Sequence, residues 1–294
     1  MDQARTLILS DLHLGRRRHG ARSADLFATL WRGFDRVIFN GDVAEIHHPR
    51  HRTTAAREVM RLLDLCERDG VEAIILSGNH DPFISDHRRI SLAGGEIFIT
   101  HGDVFHPAVA PWSPAAPQME EENERAFRAL RSESSSALEA RLEASQHASH
   151  IEWIELEKQS RRSSVRGMLV RPWAILEVLW YWHRFPDIVA RFAVEHHIEA
   201  SFIICGHTHR PGVWERSGRT IINTGSFGFP GRPLGVTVVD DSLDVWKIES
   251  SKTGYTLSSK PLHSFPLDEA ARVRRESSAL NVREDEGRPS AAAM

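Results

Sequence analysis

Two cysteines in 294 residues, Cys66 and Cys205, leave no material for a disulfide framework and fit a reducing, cytoplasmic setting. Long hydrophobic runs are missing too. No stretch approaches the roughly 20 apolar residues that span a bilayer. The opening MDQAR runs into a strand without the apolar region of a signal peptide. Charge of one sign is also lacking: the net charge is -3, so nothing global recommends a nucleic-acid partner. What remains is an ordinary globular composition, 41% hydrophobic and 26% charged, long enough for one large domain or a domain with an insertion. Histidine alone is in excess, at 17 residues.

Those histidines are not scattered. Five apolar runs, TLILSDLH, VIFNGD, AIILSGNHD, IFITHGD and FIICGHTH, each end in residues that bind metal. They set Asp11, His13, Asp42, Asn79, His80, His101, His207 and His209 just past five predicted strands. In α/β sheets the strand ends line the ligand crevice, so segments far apart in sequence converge there. Asp11 and His13 are two apart, as are His207 and His209, so each pair faces one way on extended backbone. Gly41, Gly78, Gly102 and Gly206 sit beside these ligands, where turns and close backbone approach are needed. Imidazole, carboxylate and amide oxygen without thiolate favour manganese, with iron or zinc as the other metals such a set accepts.

The surrounding pattern is α/β. Strands are expected at 6–10, 37–40, 73–77, 97–100, 202–205, 220–224, 235–240 and 243–248, with the Asp-Asp-Ser turn making the last two a hairpin. Helices are expected from Ser23 to Arg32 and from Thr53 to Arg68, the second stopped by Gly70. Pro107, Pro111, Pro114 and Pro117 mark an exit from the core. Residues 107–200 then read as a helical insertion, with one helix over 172–184 and another opening at Pro186. The core is thus 1–106 with 201–262, and the polar stretch 263–294 reads as a disordered tail.

DLH, GD, GNHD, HGD and GHTH in this order resemble the calcineurin-like metallophosphoesterases. The resemblance implies a four-layer α/β/β/α sandwich with a dinuclear metal centre. It gives the first ion Asp11, His13, Asp42 and His209, and the second Asn79, His101 and His207 with Asp42 bridging. It also implies attack of a metal-activated hydroxide on phosphorus, His80 as the acid or transition-state stabiliser, and Asp81 orienting the His80 ring. A carboxylate bridge suits two cations about 3.5–4 Å apart.

The substrate has to be read from the insertion. Trp173, Leu176, Trp180 and His183 fall along one side of the helix expected at 172–184, which is apolar nearly all round. Such a helix either packs on the core or forms a lid facing lipid, flanked by Arg166, Arg171, Arg184 and Arg191. The motif order, the insertion and the GHTHRP string are similar to UDP-2,3-diacylglucosamine pyrophosphohydrolases, implying a nucleotide-linked lipid substrate and peripheral membrane contact. Two departures are His80, where many of those enzymes have Arg, and VFHPAVAP, where an acidic pair is expected after HGD. Arg16, Arg17 and Arg210 are further candidates for substrate phosphates, with Trp173 and Trp180 for the remainder. The alternatives are a phosphodiesterase or phosphatase acting on soluble nucleotides, and a scaffold that keeps the fold without catalysis. His47 and His48 stand out because they follow the Asp42 motif so closely.

Overall fold

The computed structural model describes residues 4–16, 20–133, 136–158, 173–228 and 231–268. Four buried tetrapeptide and pentapeptide runs build the middle of two sheets. In the larger, β1 (Thr6–Leu9), β2 (Arg36–Asn40) and β3 (Glu72–Leu76) run parallel. β9 (Leu234–Val239) joins β1 antiparallel and forms the expected hairpin with β10 (Ser242–Ser250). In the smaller, β5 (Ile97–Thr100), β6 (Phe202–Cys205) and β8 (Arg219–Asn223) are parallel, flanked antiparallel by β4 (Arg89–Leu92) and β7 (Gly212–Arg216).

Alternation along each strand makes the layers. Ile8, Ile38 and Leu76 face Ile97, Ile99, Phe202, Ile204 and Ile222 between the sheets. Leu7, Leu9, Val37 and Phe39 point the other way, toward α1 (Arg52–Arg68) and the segment holding Phe27 and Trp31. Phe98, Ile203, Cys205 and Ile221 face Tyr181, Phe185, Val189 and Phe192 of α4 (Trp173–Glu195). The result is the α/β/β/α sandwich. Between β5 and β6 the chain also builds α2 (Ala116–Glu133) and α3 (Ala137–Lys158), which pack on each other. No helix among the described residues is long and apolar enough to cross a membrane.

Three expectations need correction. The helix expected from Ser23 to Arg32 is only a 3-10 turn, Ala24–Phe27, capped by Ser23 as anticipated. Bonds from Leu30 N to Phe27 O and from Phe34 N to Trp31 O continue the tighter i to i+3 pattern, while Thr29 Oγ1 donates to Tyr255 O. The ordered core does not stop at 262: β12 (His263–Pro266) pairs with β10, beside β11 (Tyr255–Leu257). Residues 269–294, the rest of the expected tail, lie outside the described residues. Finally, no new helix opens at Pro186, because α4 runs through it.

That passage has a cost and a remedy. Proline in a helix interior removes a donor and frees the carbonyl four residues before it. Here the freed carbonyl belongs to Trp182, and the Arg210 guanidinium donates to it. The apolar face continues across the proline, with Tyr181, Phe185, Val189 and Phe192 all buried on the smaller sheet.

Candidate metal centre

Three of the five motifs, those ending in Asp11 and His13, in Asp42 and in His207 and His209, leave their strands through strained backbone. Asp11, His13, Asp42, His207 and His209 all have φ between +49° and +68°. This left-handed region is costly for residues with a Cβ and persists where surroundings over-determine it. The surroundings are explicit. Asp11 N donates to Gly41 O, His13 N to Asp42 O and His207 N to the Asp11 carboxylate at 3.1 Å. Close approach needs glycine at two points: a Cβ on Gly206 would lie 2.1 Å from Asp11 Oδ2, and one on Gly78 2.3 Å from Asp42 Oδ1.

The seven predicted ligands come together. Asp11, His13, Asp42 and His209 present one ligand atom each, all within 4.8 Å of one another. His13 Nε2 stands 2.9 Å from His209 Nε2, and His209 Nε2 3.2 Å from Asp11 Oδ1. On the other side of Asp42, His101 Nε2 lies 3.4 Å from Asp42 Oδ2 and 3.3 Å from Asn79 Oδ1. His207 Nδ1 is 2.8 Å from that same Asn79 oxygen. Asp42 therefore belongs to both groups.

The ring orientations argue for cations. His101 Nδ1 donates to Asn40 O at 2.9 Å, His207 Nε2 to Val109 O at 3.0 Å and His13 Nδ1 to Glu45 at 3.1 Å. Each ring thus has one nitrogen committed as donor, which turns the lone pair of the other into the centre. The His207 Nδ1 lone pair meets Asn79 Oδ1 on one side, and His13 Nε2 stands with His209 and the Asp11 and Asp42 carboxylates on the other. Such a buried donor set fits divalent metal ions. The same field acts on protons: burial lowers the pKa of His101, but the Asp42 carboxylate outweighs it and pushes the group to about 10. For His207 burial wins, with His101 adding repulsion, and the pKa falls to about 4.

His80 adjoins the ligands, its Nε2 3.9 Å from Asp42 Oδ2. The residue expected to orient it does something else. Asp81 accepts from the backbone N–H groups of Asp42, Val43, Ala44 and Gly78 at 2.6–3.1 Å and so ties two motif loops together. Burial raises its pKa to about 7, with the Asp42 charge adding to the effect. The His80 ring is held instead by Glu45, which takes Nδ1 at 3.0 Å and holds His13 with its other oxygen. Burial opposes a charged His80, but Glu45 and Asp42 prevail and push it up to about 10.

Glu45 is the chief residue missed in the sequence. Its position three residues after Asp42, in GDVAE, was the available signal. The insertion supplies the others, for which no local signal existed. Trp153 of α3 packs edge-on against His80 at 5.3 Å and donates to Asn79 O at 3.0 Å. Beside it, Glu152 accepts from Ser113 Oγ at 2.7 Å, and burial raises its pKa despite the attraction of His80. Val109, whose carbonyl accepts from His207 Nε2, is a β-branched residue at φ 57°. Arg88 adds a buried tie, donating to Ser77 O, to Asp103 and to Ser145 of α3.

With this geometry the family follows. The model of the calcineurin-like phosphoesterases matches residues 4–211. The chain belongs to that family. Among solved structures, a predicted phosphoesterase from Streptococcus pneumoniae aligns over 88% of this chain and 99% of its own, with 15% identity and a TM-score of 0.38. Vps29 from Chaetomium thermophilum aligns over 90% and 100%, with 11% identity and a TM-score of 0.43. Vps29 from Entamoeba histolytica complexed with zinc aligns over 88% and 99%, with 11% identity and a TM-score of 0.41. No curated protein matches by sequence.

The candidate substrate contacts separate. Arg16 reaches Glu45 at 3.3 Å and stands at the mouth of the site, whereas Arg17 lies outside the described residues. Arg210 is spent on the Trp182 carbonyl and lies over the Trp214 ring, 5.6 Å from its centroid. It is therefore an anchor for α4 rather than a free cation. Trp173 opens α4, with its side chain outside the described residues; Trp180 is 62% exposed on the outer side of that helix.

Proposed function

We propose that this phosphoesterase hydrolyses a phosphodiester or pyrophosphate bond with two divalent cations, manganese being favoured and iron or zinc the alternatives. Asp11, His13, Asp42 and His209 would hold one, and Asp42, Asn79, His101 and His207 the other. The observation that carries this is that ligand atoms from both sheets, Asp11, His13 and Asp42 from one and His209 from the other, lie within 4.8 Å of one another. When bound, two such cations supply Lewis-acid charge and lower the pKa of a water for in-line attack on phosphorus.

The protein's own groups do the rest. Glu45 fixes the His80 ring through Nδ1, so Nε2 is the atom free to act. Carrying a proton there, His80 donates to the departing oxygen as the P–O bond breaks. Trp153 closes over His80 and Asn79 and excludes water from that flank.

Loading with Mn, Fe or Zn, counting the bound metal and assaying bis-p-nitrophenyl phosphate tests the reading. Two ions per chain with turnover are expected. A protein that binds no metal and shows no turnover would favour the scaffold instead.

A nucleotide-linked lipid such as UDP-2,3-diacylglucosamine is a second, narrower reading. It is favoured by Leu179 and Trp180, exposed beside Arg184 on α4. Polar substitution of both residues should then abolish lipid hydrolysis while sparing bis-p-nitrophenyl phosphate; equal effects on both substrates would refute it.

A further inference from the structure

Beside His80 stands a second group of aromatic rings. His47 and His48 lie in the loop after Asp42, Phe83 follows His80 by three residues, and His150 precedes Trp153 by one turn of α3. His47, Phe83 and His150 pack edge-on around one another, with centroids 5.4–6.0 Å apart and planes at 68–81°. A second row leads away from the site: Trp153 is 5.3 Å from His80 and 6.0 Å from His48, which is 4.3 Å from His51. The two rows meet along α3, so together they form one aromatic lip on the His80 side of the centre.

Three properties point to its use. An edge-on contact covers one face of one ring and leaves the opposite face clear of that partner. Phe83 is 51% exposed, so an apolar face stands open to water beside a polar site. Burial lowers the pKa of both His47 and His48, which keeps those rings uncharged near neutrality and poorly suited to gripping a phosphate. Among the described residues, His47, His48, His51 and His150 also form no group spaced as metal ligands. Flat, neutral faces at the edge of a phosphoester site match a flat, neutral part of a substrate.

We infer that this lip receives the nucleobase of a nucleoside phosphodiester or pyrophosphate, stacked on Phe83 and His47. The inference rests on the phosphoesterase reading above and narrows its substrate class. Stacking on aromatic side chains tolerates any base, because each has a π face.

Calorimetry on the Mn-loaded protein tests it with AMP, UMP and ribose 5-phosphate, which share a sugar phosphate and differ in the base. The nucleotides are expected to bind about 5- to 100-fold tighter than ribose 5-phosphate. Phe83→Ala and His47→Ala should each shrink that ratio while leaving ribose 5-phosphate affinity within about twofold, and Phe83→Tyr should retain it. Equal affinities in the unmodified protein, or a ratio that survives both alanine variants, overturn the inference. Turnover of bis-p-nitrophenyl phosphate is read separately. Base-dependent binding without turnover removes the hydrolase reading and keeps the lip; turnover with base-independent binding does the reverse.

Discussion

His80 and Glu45 show how a single residue acquires its chemistry from its neighbours. The Glu45 carboxylate sits between two imidazole Nδ1 atoms, His13 of the metal cradle and His80 beside it, so one side chain sets two tautomers. His80→Asn keeps a donor in roughly the same place but cannot deliver a proton. The metal-loaded variant should lose about 10²- to 10⁴-fold in kcat on an alkyl diester while its metal content stays unchanged; a loss of bound metal instead would make His80 a ligand. In the chelated protein the same pair has a pH signature. The folded-state pKa of His80, about 10, lies above the ordinary 6.5. Its contribution to stability is therefore complete below pH 6.5 and lost as pH rises through about 10. Urea midpoints of chelated protein should fall over that window, less so for His80→Asn; identical slopes would remove the pair from the account.

At the level of elements, legibility followed burial. β1, β2, β5 and β6 are buried at nearly every position, and their apolar runs were plain in the sequence. The edge strands β4 and β7, reading RISL and GVWER, are half-exposed and carried no such signal. Phe27, Leu30 and Trp31 are spaced as on a helix, yet the segment tightens into 3-10 turns fastened to Tyr255. Pro186 misled in the opposite direction, because its remedy lies at Arg210, far along the chain. Arg210→Ala should leave the Trp182 carbonyl without its donor and cost about 1–3 kcal/mol. Limited proteolysis should then nick α4 faster with metal content unchanged, and an unaltered cleavage rate would show the contact to be idle.

For the whole molecule, the convergence of Asp11, His13, Asp42, Asn79, His101, His207 and His209 was readable because each stands at the end of a buried apolar run. The surrounding groups were not, because Glu152, Trp153 and Val109 are brought in by the insertion. The centre also ties the two sheets together. Asp11 and Asp42 follow strands of the larger sheet, while His101, His207 and His209 follow strands of the smaller. Metal should therefore brace the sandwich across its open end. At 100 times its dissociation constant, a bound ion adds about 2.7 kcal/mol, which for a chain of this size is a rise in Tm of roughly 4 °C. Chelation should reverse that rise, and a Tm indifferent to chelator would speak against a metal shared between the sheets. The carbonyl that Pro186 frees bears on protein engineering. A segment 107–200 transplanted into a related fold would arrive with an acceptor whose donor, Arg210, stayed behind in this chain, just after its GHTH motif. The graft that works is one whose junction carries residue 210 along.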